Sequence, residues 1–466
     1  MSTADTATEP HLRRSLKNRH IQLIALGGAI GTGLFYGSSS AIQAGGPSIL
    51  LAYLVGGAVI FLVMRALGEM SVHTPTSGAF SEYAFRDWGR FPGFFSGWNY
   101  WFNYIAVSMA ELTVVGTYVN YWYPGIPTWI SAAVFLVVVT AINLLEVRLF
   151  GEAEFWFAIV KVVAIIAMIA LGLLIITTGI GNGGVPTGID NLWTHGGFAP
   201  HGLWGTCLGL VVVMFSFGGV ELIGITAGEA DDPRRSIPTA INQVVWRILV
   251  FYVGALFVIL ALYPWTAIDG QASPFVEIFD RMHVPGAAHL LNAVVLTAAV
   301  SAYNSGLYSN GRMLFSLARQ GNAPRYLGRL ARNGAPAAGV LTSSAITALA
   351  VVLLYVLPEQ AFLYVVAVAM VGAVFNWSMI VITQILFRRR LTPEATAALW
   401  FRMPLFPYGN YLVLAFLALL VVVMGFSPGY RLALVVGPLW LGGLYLAYRV
   451  QLARAGASRE ATTVGA

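Results

Sequence analysis

Charge is what this 466-residue chain has least of: Asp, Glu, Lys and Arg together make up 10% of it. Cysteine occurs once, as Cys207. A single cysteine excludes an intramolecular disulfide framework and offers no thiolate cluster to a metal. No His is followed by Glu, so the H-E-x-x-H spacing of a zinc protease is absent. An enzyme working at membrane depth would need a nucleophile or metal site of that kind, and no cofactor is expected. A channel would show a repeated pore-lining pattern, and a signalling receptor a long soluble domain; the chain carries neither.

What fills the space is apolar. The chain is 58% hydrophobic, with a mean hydropathy of +0.75, beyond any ordinary soluble domain. A bilayer span needs about 20 mostly apolar residues. Runs of that length recur at 21–43, 48–69, 93–121, 128–147, 155–177, 203–226, 246–264, 287–317, 339–357, 362–387, 411–426 and 432–448. The expectation is an all-α integral membrane protein with 12 transmembrane helices and no soluble domain. Residues 1–20 and 450–466 are polar tails, and no cleavable signal peptide is expected.

The net charge of +6 would suggest nucleic acid in a soluble protein. Here its distribution sets topology. With the N-terminus in the cytoplasm and twelve alternating spans, 23 of the 26 Lys and Arg residues fall inside. Arg281 and Arg431 fall outside, and Lys161 lies within a span. The positive-inside rule therefore places both termini in the cytoplasm. No nucleic-acid partner is expected; composition implies the lipid bilayer as a partner, and the chain is expected as a monomer or homodimer.

One short stretch poses a question. "GGAIGTGLFYG", residues 27–37, has five glycines in eleven positions and approaches the G-x-G-x-x-G fingerprint of a dinucleotide turn. That turn needs a preceding strand and an acid roughly 20 residues on. The next carboxylate is Glu69, and apart from Gln43 and Arg65 the residues between are apolar or small. The same glycines can instead break a membrane helix.

A second interruption, "FSFGGVE" at residues 215–221, lies five spans later. Two broken helices five spans apart suggest two five-helix halves, 21–178 and 202–390, inserted with opposite topology, with 408–449 added. That is the inverted repeat of many secondary transporters, whose substrate site forms where the breaks meet. Unwound backbone in a bilayer is tolerated only where it lines a cavity or is buried in protein. Its free N–H groups suit a carboxylate and its carbonyls an ammonium. The plainer alternative is that the glycines merely let helices pack closely.

"LKNRHIQLIALGGAIGTGLFYGS", "MRALGEMSV", "GEAEFWFAIVKV", "FGGVELIGITAGEADDPRRSIPTAIN" and "NSGLYSNGRMLFSLARQGNAPR" resemble bacterial amino acid permeases of the amino acid transporter family, in the amino acid–polyamine–organocation (APC) superfamily. The likeness runs from about residue 16 to 450. It implies a fold like the leucine transporter (LeuT), a 5+5 inverted repeat with helices 1 and 6 broken and two C-terminal helices added. It also implies proton symport of an amino acid across the bacterial inner membrane. The substrates it suggests are neutral: proline, histidine, threonine, alanine or an aromatic residue. Exchange of one amino acid for another, or sensing without transport, would use the same site.

The resemblance puts the substrate carboxylate on Ile30, Gly31, Thr32 and Gly33. It puts the α-ammonium near Ser216, Phe217, Gly218, Gly219 and Val220, with Phe217 either a gate over the substrate or a packing ring. Tyr104, Ala110, Asn304 and Ser305 are expected to line the side-chain pocket. No further acid is expected near mid-span, which argues against a cationic substrate. Three ionisable residues inside spans are functional candidates by default. Lys161 could snorkel to the interface; similarity to proton-coupled relatives instead makes it part of the coupling machinery, since a buried lysine can exchange its proton. Glu111 and Glu221 could carry a proton, meet the substrate ammonium, or cap freed backbone groups. Glu229, nearer the cytoplasmic end of its span, reads as a gate or loop contact.

Overall fold

A computed structural model describes residues 30–464 apart from 77, 78, 146, 181, 182, 227–231, 269, 271 and 282–285. The N-terminal tail, the opening of the first expected span and Glu229 lie outside the described residues, which contain helices and no strand.

In chain order the helices are α1 (Thr32–Phe35), α2 (Gly37–Gly45), α3 (Ile49–His73), α4 (Ala79–Asp87), α5 (Arg90–Asn120), α6 (Thr128–Leu144), α7 (Val147–Thr178), α8 (Gly202–Phe215), α9 (Leu222–Thr226), α10 (Pro233–Arg247), α11 (Ala255–Leu262), α12 (Pro274–Arg281), α13 (Ala287–Arg319), α14 (Ala337–Thr347), α15 (Leu349–Val356), α16 (Ala361–Arg390), α17 (Pro393–Ala398), α18 (Tyr408–Phe426) and α19 (Arg431–Val464). A π-helical segment, Ile248–Gly254, joins α10 to α11. Among the described residues, eight helical stretches are long and apolar enough to cross a membrane, and α6 and α8 are shorter apolar helices.

Local chemistry explains several boundaries. Asp232 accepts the Arg235 N–H ahead of α10, and Pro233 occupies the first turn, where its missing N–H costs nothing. The helix therefore starts about a dozen residues before the apolar run at 246. Between α2 and α3 the chain turns at Gly46, with φ +61 and an imagined Cβ 2.5 Å from Pro200, so both conformation and space call for glycine.

Helix α5 is 31 residues long yet is not among the eight apolar stretches. It carries Ser96, Asn99, Asn103, Ser108 and Glu111, all buried. Polar residues at membrane depth must face protein, and α5 lies in the middle of the bundle, packed along α13 and α16. Burial ranks the rest: 78% of the most apolar window of α16 is buried but only 17% of that of α19. Leu439 and Leu446 of α19 are exposed, a face suited to hydrocarbon.

One end of α3 is anchored by charge. Buried Glu69 accepts Arg388 Nε at 2.5 Å and Nη2 at 2.7 Å, Gln384 Nε2 at 2.9 Å and the Met403 N–H at 2.6 Å. Arg65 stacks on Phe401, 3.8 Å from the ring centroid. By sequence, residue 69 is only the end of a span and Arg388 only a topology signal. In the fold they tie α3, α16 and the segment before α18 together.

Candidate functional site

The first break is held from outside its own helix. Gly31 is extended, φ −126 and ψ −157, and offers no capping side chain to α1. The cap comes from α5: the Thr32 N–H donates to both carboxylate oxygens of Glu111, 3.3 Å away. This satisfies a donor that would otherwise be orphaned in a buried place. A Cβ on Gly31 would lie 2.6 Å from Glu111 Oε1. Ile30 and Thr32 are buried beside it.

The second break begins where α8 ends. Ser216 donates back to the Val212 carbonyl at 3.1 Å, and its own carbonyl accepts Tyr252 Oη at 3.0 Å. Gly219 adopts φ +98, and the chain re-enters helix at α9. The two breaks touch, since a Cβ on Gly33 would stand 2.6 Å from Ser216 Cα. Two backbones approach this closely only with glycine on one side.

Between them is a small cavity, with room for roughly one water. Gly31, Gly33, Tyr104, Val107, Glu111, Phe215, Ser216, Gly218, Gly219, Leu222 and Ala302 line it. Tyr104, Val107 and Glu111 follow helical spacing on one face of α5. Ala110 is buried about 100° around the helix from Glu111 and is not in the lining. Phe217 does not face the cavity; its buried ring packs 5.9 Å from Tyr53 and 5.2 Å from Tyr252, and the phenyl at the cavity is that of Phe215. Val220 is buried without lining the cavity. Behind the cavity, Tyr104 donates its hydroxyl to buried Glu221 at 3.3 Å, so Glu221 is reached through Tyr104.

Lys161 does not snorkel. It is fully buried and donates to Ser301 Oγ at 2.9 Å. Ser301 donates in turn to Glu154 Oε2 at 2.7 Å, and Asn304 Nδ2 donates to Glu154 Oε1 at 2.9 Å. Asn143 Nδ2 donates to Asn304 Oδ1 at 2.8 Å. Asn304 thus serves this network rather than the cavity; Ser305 is buried, and the residue that α13 gives to the cavity is Ala302. Glu154 escapes sequence reasoning because it stands one residue before the apolar run at 155. The available signal is its spacing of seven from Lys161, two turns along one helix face.

One enzyme-like sequence feature has a different structural context. Residues 425–429, GFSPG, match the G-x-S-x-G spacing, but they join α18 to the 3-10 turn Pro428–Tyr430, whereas a nucleophile elbow links strand to helix. The described residues hold no group of three His, Cys, Asp or Glu placed to bind a metal.

The pattern that defines the family described as "Amino acid permease" matches residues 20–456. The chain is 51% identical over 430 residues to "Uncharacterized amino acid permease YtnA" of Bacillus subtilis strain 168, covering 92% of this chain and 93% of that protein. It is 52% identical over 439 residues to the aromatic amino acid transport protein AroP of Escherichia coli strain K12, covering 94% and 95%. With AroP of Salmonella typhimurium strain LT2 it shares 51% identity over 432 residues, covering 92% and 93%. A family match over nearly the whole chain, with relatives of this identity, carries the conclusion: the chain belongs to the amino acid permease family, a bacterial membrane transporter family and not an enzyme family.

Proposed function

We propose that the chain imports a neutral aromatic L-amino acid together with a proton, by alternating access, across the bacterial inner membrane with both termini in the cytoplasm. The observation that carries the reading is the contact of Gly33 with Ser216: two helices meet at the edges of their breaks beside a small cavity, as the LeuT-like twelve-helix layout requires. In that layout α1 and α2 belong to helix 1, and α8 and α9 to helix 6.

The substrate carboxylate takes the N–H groups around Ile30 to Gly33, among them the Thr32 N–H that Glu111 now occupies. The carbonyls of Ser216 to Val220 take the ammonium. Val107, Phe215, Leu222 and Ala302 give the side chain an apolar surround that suits a ring, and the named function of AroP favours the aromatic class among the neutral ones. The cavity must widen to admit the substrate, which is the opening half of the cycle. Lys161, Glu111 and Glu221 are the proton-coupling groups.

The test is uptake of labelled phenylalanine, tryptophan, histidine, proline, threonine and alanine into proteoliposomes, with an inward proton gradient and no sodium. Accumulation of the aromatic substrates that collapses with a protonophore supports the proposal. Entry only into vesicles preloaded with amino acid would make the chain an exchanger. No entry under either condition, with binding retained, would make it a sensor.

A further inference from the structure

We infer that Glu154 is the proton partner of Lys161, the two exchanging one proton through the hydroxyl of Ser301. This rests on the proton-coupled reading above and extends it to a residue that reading does not use.

Three buried polar atoms stand in line. Lys161 Nζ is 2.9 Å from Ser301 Oγ, which is 2.7 Å from Glu154 Oε2, and all three side chains have 0% exposure. The serine hydroxyl accepts from the ammonium and donates to the carboxylate at once, the geometry of a one-step relay. Transfer breaks an Nζ–H bond as a new Oγ–H bond forms. The original Oγ–H bond of Ser301 breaks as Oε2–H forms. An ammonium and a carboxylate become an amine and a carboxylic acid, with charge balanced and both hydrogen bonds kept in reversed direction.

Neither end state leaves a lone charge in the dry interior, the most costly arrangement available to these groups. Asn304 holds Oε1 at 2.9 Å and is itself held by Asn143, so Oε2 stays turned to Ser301. The groups that bond Glu154 and Ser301 are Asn304, which is neutral, and Lys161 of α7 itself, and the α6 residue Asn143, which holds Asn304, is neutral too. From α5, the charge that acts on Lys161 is that of Glu111. Glu154 lies seven residues nearer the start of α7 than Lys161, about 10 Å along the axis, on the side the arginine distribution assigns to the cytoplasm. The relay therefore carries a proton from the depth of Lys161 towards the compartment of release.

The experiment uses the full chain in proteoliposomes and labelled phenylalanine. It compares accumulation on an imposed pH gradient with exchange into preloaded vesicles, for wild type, Ser301→Ala, Ser301→Thr and Glu154→Gln. The expected result is a ratio of accumulation to exchange that falls about a hundredfold in Ser301→Ala and in Glu154→Gln, the lower end of the range for removing a positioned proton carrier. Ser301→Thr, which keeps the hydroxyl, restores the ratio, and Ser301→Ala with Glu154→Gln falls no further than either alone. A wild-type ratio in Ser301→Ala overturns the relay, and so does a proportional loss of both activities in Ser301→Ala with no rescue by threonine. A wild type that exchanges phenylalanine but never accumulates it would overturn the proton-coupled reading itself, and the relay with it.

Discussion

Both carboxylate oxygens of Glu111 lie 3.3 Å from the backbone nitrogen of Thr32. A side chain of the protein thus holds the donor that the proposed function gives to the substrate carboxylate. Two carboxylates cannot share one N–H without repulsion, so substrate entry requires Glu111 to move away or to take up a proton.

This gives a signed pH dependence. Protonating Glu111 removes a negative charge from the site, so the wild type should bind an amino acid more tightly as the pH falls. Glu111→Gln keeps an acceptor for Thr32 without the charge. Its half-saturation for phenylalanine exchange should be nearly independent of pH, whereas that of wild type should improve by about tenfold from alkaline to acid conditions, some 1.4 kcal/mol. Equal pH profiles for the two proteins would remove Glu111 from this role.

Gly33 and Ser216 make the second prediction. Gly33→Ala drives a methyl into backbone that cannot swing aside. Overpacking of this kind costs about 1–3 kcal/mol and falls on the contact between the broken helices, so uptake should drop more than thermal stability. Gly442→Ala, where an added Cβ meets nothing within 4 Å, is the matched control. Full transport by Gly33→Ala would mean that the breaks do not have to touch.

Lys161→Met keeps the apolar stem and deletes the ammonium. Exchange of phenylalanine should survive better than accumulation against a gradient, which should be lost. A Lys161→Met protein with full gradient-driven accumulation would show that the buried amine plays no part in coupling.

The Glu69–Arg388 pair predicts a stability pattern instead of a transport one. Glu69→Leu leaves a largely buried guanidinium without its carboxylate and should cost about 3–5 kcal/mol, read as a lowered unfolding midpoint in detergent. Glu69→Leu with Arg388→Met should recover much of that loss, because removing both charges also removes their desolvation cost. A double variant no better than the single one would point to the Met403 and Gln384 bonds as the real anchor.

The residues that could be read from the sequence alone share one property: they interrupt an apolar run. The glycine clusters around Gly31 and Gly218, Lys161 in "FAIVKVVA" and Glu111 in "MAELTVV" stand out against their surroundings at membrane depth. Glu154 and Glu69 do not, because each sits at the edge of a run, where a carboxylate ordinarily marks the water boundary. Only the three-dimensional pairing with Ser301 or Arg388 distinguishes them. Facing is the other limit. On a regular helix such as α5 the 3.6-residue period separates Glu111 from Ala110, but across the unwound turn at 216–221 no period applies. Phe217 and Phe215 therefore cannot be told apart as gate and packing ring before the fold is known.

The measurement closest to the central claim is the internal pH of proteoliposomes carrying a lumenal pH dye, with the membrane potential clamped and no imposed pH gradient. Adding phenylalanine outside should acidify the lumen at a rate that scales with phenylalanine entry, because each substrate molecule brings a proton. Phenylalanine entry with no change in lumenal pH would contradict proton symport.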